Sequence, residues 1–132
     1  MSEQPTPAPS LGTRVVHRRY VAYGEAHYKG NLVDGAYSLA LFGDVATEMC
    51  MQTDGDEGLF ASYSDVQFKA PVRGGDVLEI VAELVAVGRR SRTLEFSATV
   101  VGRGTEGGSD SAAGILAEPV VATTARGVVV VP

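Results

Sequence analysis

Apolar residues recur with two different periods, which divide the chain into one helix and five strands. Between Ala36 and about Gln52 they return at helical spacing, as expected for a helix with one buried face. That apolar stripe consists of Leu39, Phe42, Ala46, Met49 and Cys50. Runs rich in β-branched and aromatic residues predict strands over 13–23, 59–71, 77–87, 93–101 and 119–131. The order β-α-β-β-β-β predicts an α+β fold, with an antiparallel sheet packed on one long helix.

The later strands are separated by the turn-forming stretches RGGD and GRRSR, which favour an antiparallel meander. Residues 93–101 alternate between apolar and polar, so one face of that strand should be buried and the other wet. Residues 77–87 are apolar at both alternating sets. Because a single helix covers only one sheet face, this pattern predicts self-association. Residues 102–119 are rich in Gly and Ser, and we expect a long loop that is mobile or functional.

The 132 residues suit one domain, placed at 13–132, after a Pro-rich tail at 1–12 that we expect to be disordered. The composition, 45% hydrophobic and 20% charged, argues against disorder of the whole chain. A net charge of −5 argues against a general nucleic-acid binder. The single cysteine excludes a disulfide framework within the chain, and no apolar run is long enough to span a bilayer, so we expect a cytoplasmic protein.

Two acids, Asp44 and Glu48, interrupt the otherwise apolar helix. They are four residues apart and share a helical face with Tyr37, Leu41 and Met51. If both are buried, each raises the pKa of the other, giving one protonated and one ionised group for acid–base chemistry. The alternative is a solvated stripe, but the apolar neighbours favour the functional interpretation.

Two loop residues before the helix are further candidates. His27 could act as a neutral base or as a structural hydrogen-bonding group. Asn31 could hold a substrate carbonyl or cap the loop. His17 alternates with its strand neighbours, so we expect it on the surface.

Arg89, Arg90 and Arg92 form a turn between two strands, with Arg103 one strand further along. Guanidinium groups chelate phosphate well, which favours a phosphate site. A solvated turn is the equal alternative. Residues 54–58, DGDEG, lack the spacing of a calcium loop and predict a turn at a subunit interface.

Two passages resemble a known family. DVQFKAPVRGGDVLEIVAEL resembles the strand-turn-strand passage of the hotdog fold around Phe68, Pro71, Val72, Gly75 and Asp76. EAHYKGNLVDGAYSLALFGDVATEMCMQTDGDEGLF is more specific, and resembles the hotdog-fold 3-aminobutyryl-CoA and β-alanyl-CoA ammonia-lyases.

The resemblance implies a five-stranded antiparallel sheet wrapped around one central helix, with homodimers joined edge to edge and hexamers common. It implies elimination of ammonia from a 3-aminoacyl-CoA, with coenzyme A as part of the substrate and no metal or redox cofactor. The thioester would bind at the helix N-terminus, near Asn31, Gly35, Ala36 and Tyr37. Asp44, Glu48 and His27 would be catalytic, with the acids also attracting the substrate ammonium, and Arg89, Arg90 and Arg92 would bind coenzyme A. An acyl-CoA thioesterase and a non-catalytic acyl-CoA-binding domain are the alternatives.

Overall fold

A computed structural model describes residues 6–132 and contains one sheet and one long helix. The strands are β1 (Arg14–Tyr20), β2 (Leu59–Phe68), β3 (Val77–Val87), β4 (Ser91–Gly104) and β5 (Ala113–Val130), and the helix is α1 (Gly35–Asp54). The strands form one antiparallel sheet in the order β1-β3-β4-β5-β2. The predicted hotdog architecture is therefore confirmed.

The helix buries one face against the sheet. Its buried residues are Ser38, Leu41, Phe42, Val45, Ala46, Met49, Cys50 and Thr53. Leu39, predicted in the stripe, packs only partly buried against the core. On the sheet, the inward residues alternate along each strand, and those of β3 and β4 are Leu78, Ile80, Ala82, Leu84, Leu94, Phe96, Ala98 and Val100. The sheet and the helix thus enclose one core.

The predicted long loop at 102–119 is wrong. β4 continues to Gly104 and β5 begins at Ala113, because the backbones of Gly102, Arg103 and Gly104 pair with Ile115, Gly114 and Ala113. Only residues 105–112 connect the two strands. The glycines look like a loop by composition, yet ladder hydrogen bonds need no side chain.

The turn before β3 is fixed by a buried ion pair. Both oxygens of Asp76, which is fully buried, accept hydrogen bonds from Arg103 at 2.8 Å, and one also accepts from the amide of Arg73. Arg103 also donates to the carbonyl of Pro71. Arg103 therefore does not extend the arginine turn at 89–92 into a phosphate site.

Residues 1–5 of the predicted tail lie outside the described residues, and its disorder stays a prediction. Residues 6–11 are exposed, and the amide of Gly12 donates to the carbonyl of Leu84 at the edge of the sheet. Within residues 6–132, no helix has both the length and the apolar content needed to cross a membrane.

Candidate active site at the amide end of the helix

The first turn of α1 is capped by an aspartate. Asp34 adopts an extended conformation before the helix, and its Oδ1 accepts a hydrogen bond from the amide of Tyr37 at 3.0 Å. Such a cap satisfies one of the unpaired amides at a helix N-terminus. The remaining amides and the helix dipole make this end favourable for negative charge.

His27 lies beside this cap, as its position in the preceding loop suggested. Its Nε2 is 2.5 Å from Oδ2 of Asp34, and its ring meets that of Tyr28 edge to face. The hydrogen bond from His27, aided by the amides of Tyr37 and Ala36, holds the pKa of the Asp34 carboxyl below its ordinary value. One nitrogen of the imidazole thus contacts a carboxylate, and the side chain of His27 is exposed. Its catalytic role stays a prediction.

A cavity of about 360 Å³ opens beside this helix end, and we refer to it as the amide-end cavity. It is lined by Val33, Asp34, Gly35, Ser38, Phe68, Lys69, Ala70, Pro71, Val72 and Thr123. Its walls come from the start of α1, from the segment that follows β2, and from β5. Asp34 and Lys69 are the charged residues in this lining, and the other wall residues are mostly apolar.

Gly35 allows the cavity wall to approach the helix closely. A Cβ atom on Gly35 would lie only 2.6 Å from Cε1 of Phe68. Phe68 ends β2 and is 60% exposed in the protomer. A larger residue at position 35 would therefore displace the Phe68 ring and block the amides.

The structure separates the other predicted substrate-binding residues. Asn31 has φ 62° and donates from Nδ2 to the carbonyl of Gly74 at 2.9 Å, so it caps the loop and does not line the cavity. Ala36 is exposed at the helix end. The Tyr37 hydroxyl accepts from Nε of Arg19 at 3.3 Å, on the β1 side of the helix.

The two helix acids do not form a buried pair. Asp44 is exposed and, with His17, Arg18 and Arg19, lines a small cavity between α1 and β1. Glu48 has a side chain 46% exposed. Asp44 lies outside the core because its position is turned away from the buried stripe of the helix. The prediction of two buried carboxylates is thus wrong for the protomer, and mutual burial cannot be the reason for their pairing.

Glu48 is nevertheless held in place from two sides. Its Oε1 is 2.8 Å from Nε2 of His17, and its Oε2 accepts from Gln52 at 3.1 Å. His17 is half-buried and faces the helix, so its predicted surface position is only partly correct. Its phase with the buried Val15 on β1 was the signal for this orientation.

The three arginines of the predicted phosphate-binding turn differ in burial. Arg92 is buried and donates to both oxygens of Asp54, at 2.9 and 2.6 Å, and to the carbonyls of Gly88 and Ser91. Its role in binding coenzyme A is therefore contradicted. Arg89 and Arg90 are exposed, and Nε of Arg90 donates to the carbonyl of Val131.

The arginine turn is also far from the amide-end cavity of the same protomer. Asp54, the partner of Arg92, lies nineteen residues after Gly35, or about 28 Å along a helix with a rise of 1.5 Å per residue. Asp54 in turn ends the helix, and Gly55 follows in a left-handed conformation. Residues 54–58 thus close the helix, and their position at a subunit interface stays a prediction.

Of the ten residues that line the cavity, only Gly35 is among the predicted site residues, and the nine that were missed include Ser38, Lys69 and Thr123. Ser38 had a usable signal, because it is a polar residue on the apolar side of the helix. Thr123 had a similar one, because it is in phase with the inward-facing Ala125 of β5. Among the described residues, no group of three or more His, Cys, Asp or Glu side chains is placed to hold a metal ion.

Comparison with known proteins identifies the family of the chain. Residues 30–105 match the family described as the thioesterase superfamily. The chain is 47% identical over 108 residues to 3-aminobutyryl-CoA ammonia lyase of Acetoanaerobium sticklandii, covering 82% of this chain and 86% of the relative. It is 37% identical to β-alanyl-CoA:ammonia lyase from Clostridium propionicum, with a TM-score of 0.87 and coverage of 92% and 87%.

A more distant structure shares only the fold. A hexameric hotdog fold thioesterase of Campylobacter jejuni matches with a TM-score of 0.71 at 18% identity, over 86% of this chain and 79% of the thioesterase.

Proposed function

We propose, from the premise that the chain belongs to the hotdog-fold ammonia lyases of the thioesterase superfamily, that it eliminates ammonia reversibly from a 3-aminoacyl-CoA. With 3-aminobutyryl-CoA the products are crotonyl-CoA and ammonia. The observation that carries the proposal is the amide end of α1, which opens onto a cavity of about 360 Å³ with mostly apolar walls. An acyl thioester needs these two features together.

The chemistry begins at carbon 2 of the acyl group. A base removes a proton there, and the thioester becomes an enolate whose oxygen gains negative charge. The C3–N bond then breaks, its electron pair passes to nitrogen, and the protonated amine leaves as ammonia while a C2–C3 double bond forms. Amides at the start of α1, near Gly35 and Ala36, stabilise the enolate oxygen because they are oriented before the charge develops.

Glu48 and Asp44 are the proposed acid–base pair. His17 and Gln52 fix the carboxylate of Glu48, and fixed orientation favours proton transfer. However, Asp44 and Glu48 lie nine and thirteen residues beyond Gly35, or about 13 and 20 Å along the helix. A thioester at the amide end of one protomer is therefore served by the acids of a second copy.

The edge of the sheet supports such an assembly. β2 is an edge strand, and its Leu59, Phe60 and Phe68 are 74%, 36% and 60% exposed. An exposed edge with apolar residues favours pairing with another strand. We propose a homodimer joined at β2, which assembles further into a hexamer. A cytoplasmic location, the absence of a cofactor, and binding of coenzyme A by Arg89 and Arg90 stay predictions.

Offering the purified protein 3-aminobutyryl-CoA tests the reaction. Ammonia released together with a conjugated enoyl thioester supports the lyase, and crotonyl-CoA with ammonia should run the reaction in reverse. Release of free coenzyme A thiol without ammonia would instead identify a thioesterase. Binding without turnover would identify an acyl-CoA-binding domain, and either result overturns the proposal.

Subunit complementation tests the sharing of the site. Glu48→Gln should abolish turnover, and Gly35→Val should block the cavity. Sedimentation should first establish that each variant dimerises, because the larger side chain at position 35 displaces Phe68 at the proposed β2 edge. Co-expression with two affinity tags yields mixed dimers in which one of the two sites is intact. The selected mixed dimers should recover about half of the wild-type activity, and an unselected statistical mixture about a quarter, if each site uses two chains. No recovery in verified mixed dimers would mean that each chain works alone.

A further inference from the structure

Five polar side chains are buried within residues 6–132, and three of them have a clear structural task. Asp76 binds Arg103, and Arg92 and Thr53 both bind Asp54. The other two are Ser38 and Thr123, each only 2% exposed. Neither residue contacts an ion pair or closes a turn.

Ser38 and Thr123 face each other at the wall of the amide-end cavity. Ser38 lies one turn after Gly35 on the same side of α1, and Thr123 points inward from β5. Their hydroxyl oxygens are 3.3 Å apart, and both residues line the cavity. The pair therefore lies next to the helix amides.

The pair has one hydrogen more than its own contact uses. Each hydroxyl carries one hydrogen, and the bond between them consumes one, whichever residue donates. Stability gives little reason for this arrangement, because apolar residues of the same shape can replace such a pair at nearly no cost. Within the described residues, the bond between the two hydroxyls is the one side-chain hydrogen bond that either makes, so the second hydrogen is left for an acceptor in the cavity that both residues line.

We propose that the Ser38–Thr123 pair donates this hydrogen to the thioester carbonyl oxygen of the substrate. The assignment rests on the proposed function, because it takes the amide-end cavity as the thioester site. As the carbonyl becomes an enolate, its oxygen accepts more strongly, so the hydroxyl stabilises the transition state more than the bound substrate. Thr123 orients Ser38, and Ser38, being on the helix beside Gly35, makes the contact.

Kinetics of matched variants tests this assignment. Ser38→Ala should lower kcat by about 10- to 100-fold with little change in KM, since one donor to an oxyanion contributes at least this much. Thr123→Val should lower kcat less than Ser38→Ala does. Thr123→Ser should keep nearly full activity, because it keeps the hydroxyl. The double variant should be no worse than Ser38→Ala alone, because the pair acts as one unit. Thermal unfolding should confirm that all variants fold.

A spectroscopic measurement separates this donor from a merely structural role. The infrared carbonyl stretch of bound butyryl-CoA, carrying ¹³C at the thioester carbon, should fall to lower frequency on the wild-type protein. It should return toward the free value in the folded Ser38→Ala variant. An unchanged frequency, or full kcat in that variant, would overturn the assignment. A wild-type protein without lyase activity would overturn the proposed function, while the infrared shift would still test the donor.

Discussion

The two ends of α1 each hold an aspartate next to a basic residue, yet only one end is closed. At the carboxyl end, Asp54 is 14% exposed and bound twice by Arg92, whose side chain is 8% exposed. At the amide end, Asp34 is 33% exposed and bound once by the exposed His27. The guanidinium is always charged and binds its carboxylate through two nitrogens, whereas the imidazole reaches Asp34 through one nitrogen. We infer that the first pair stabilises the fold and the second leaves the neighbouring cavity open to substrate.

The largest expected effect on folding comes from breaking the closed end. Arg92→Met leaves the Asp54 carboxylate buried without its cation, which should cost about 3 kcal/mol of unfolding free energy. Urea denaturation measures this loss. Arg89→Met is the matched control from the same turn, and its exposed side chain predicts a change within about 0.5 kcal/mol. Equal effects of the two substitutions would remove the distinction between them.

A smaller loss is expected at the open end. Asp34→Ala removes the cap on the amide of Tyr37 and should cost about 1 kcal/mol. Asp34→Asn keeps an oxygen that can cap the helix, so it should cost less while still losing the charged contact with His27. The same denaturation measurement applies. A loss from Asp34→Ala as large as that from Arg92→Met would mean that both ends are structural.

Between the two ends, Gly43 offers a gain in stability. A Cβ atom there would meet nothing within 4 Å, and glycine inside a helix is unfavourable relative to alanine. Gly43→Ala should therefore stabilise the protomer by about 0.5 to 1 kcal/mol. If the second copy or the substrate approaches this point, the gain in stability should come with loss of dimer or of activity. Sedimentation and turnover measured on the same sample would separate these outcomes.

The sequence predicted the helix and the strands better than it predicted which side chains contact each other. Helical periodicity located α1 within two residues at each end, since Leu39, Phe42 and Met49 repeat along one side. The apolar run at 77–87 located β3 fully. Alternation along β4 carried unused information, because Arg92 is in phase with the buried Leu94, whereas Arg89 lies before β4 begins. Helical phase also placed Asp44 opposite the apolar stripe, two residues after Phe42. The cavity that Asp44 shares with β1 could not be predicted, because neighbours in the chain do not show which strand a helix side meets.

The smallest of the expected effects is the difference between Asp54 and Asp34 in an acid titration of stability. Hydrogen bonds from Arg92 and from His27 lower the folded-state pKa of Asp54 and of Asp34 below the ordinary 3.8. Each carboxylate thus contributes stability that is fully present above that value and is lost as the pH falls through the folded pKa. The unfolding free energy should therefore decline most below about pH 4.

Asp54→Asn should flatten this decline more than Asp34→Asn, because the buried pair is screened less by solvent and salt. Denaturation at steps from about pH 6 to about pH 2, in low and in high salt, measures both effects. Added salt should weaken the contribution of Asp34 and leave that of Asp54 nearly unchanged. The reverse order would mean that His27 binds Asp34 more tightly than Arg92 binds Asp54, and that the amide end is the closed one.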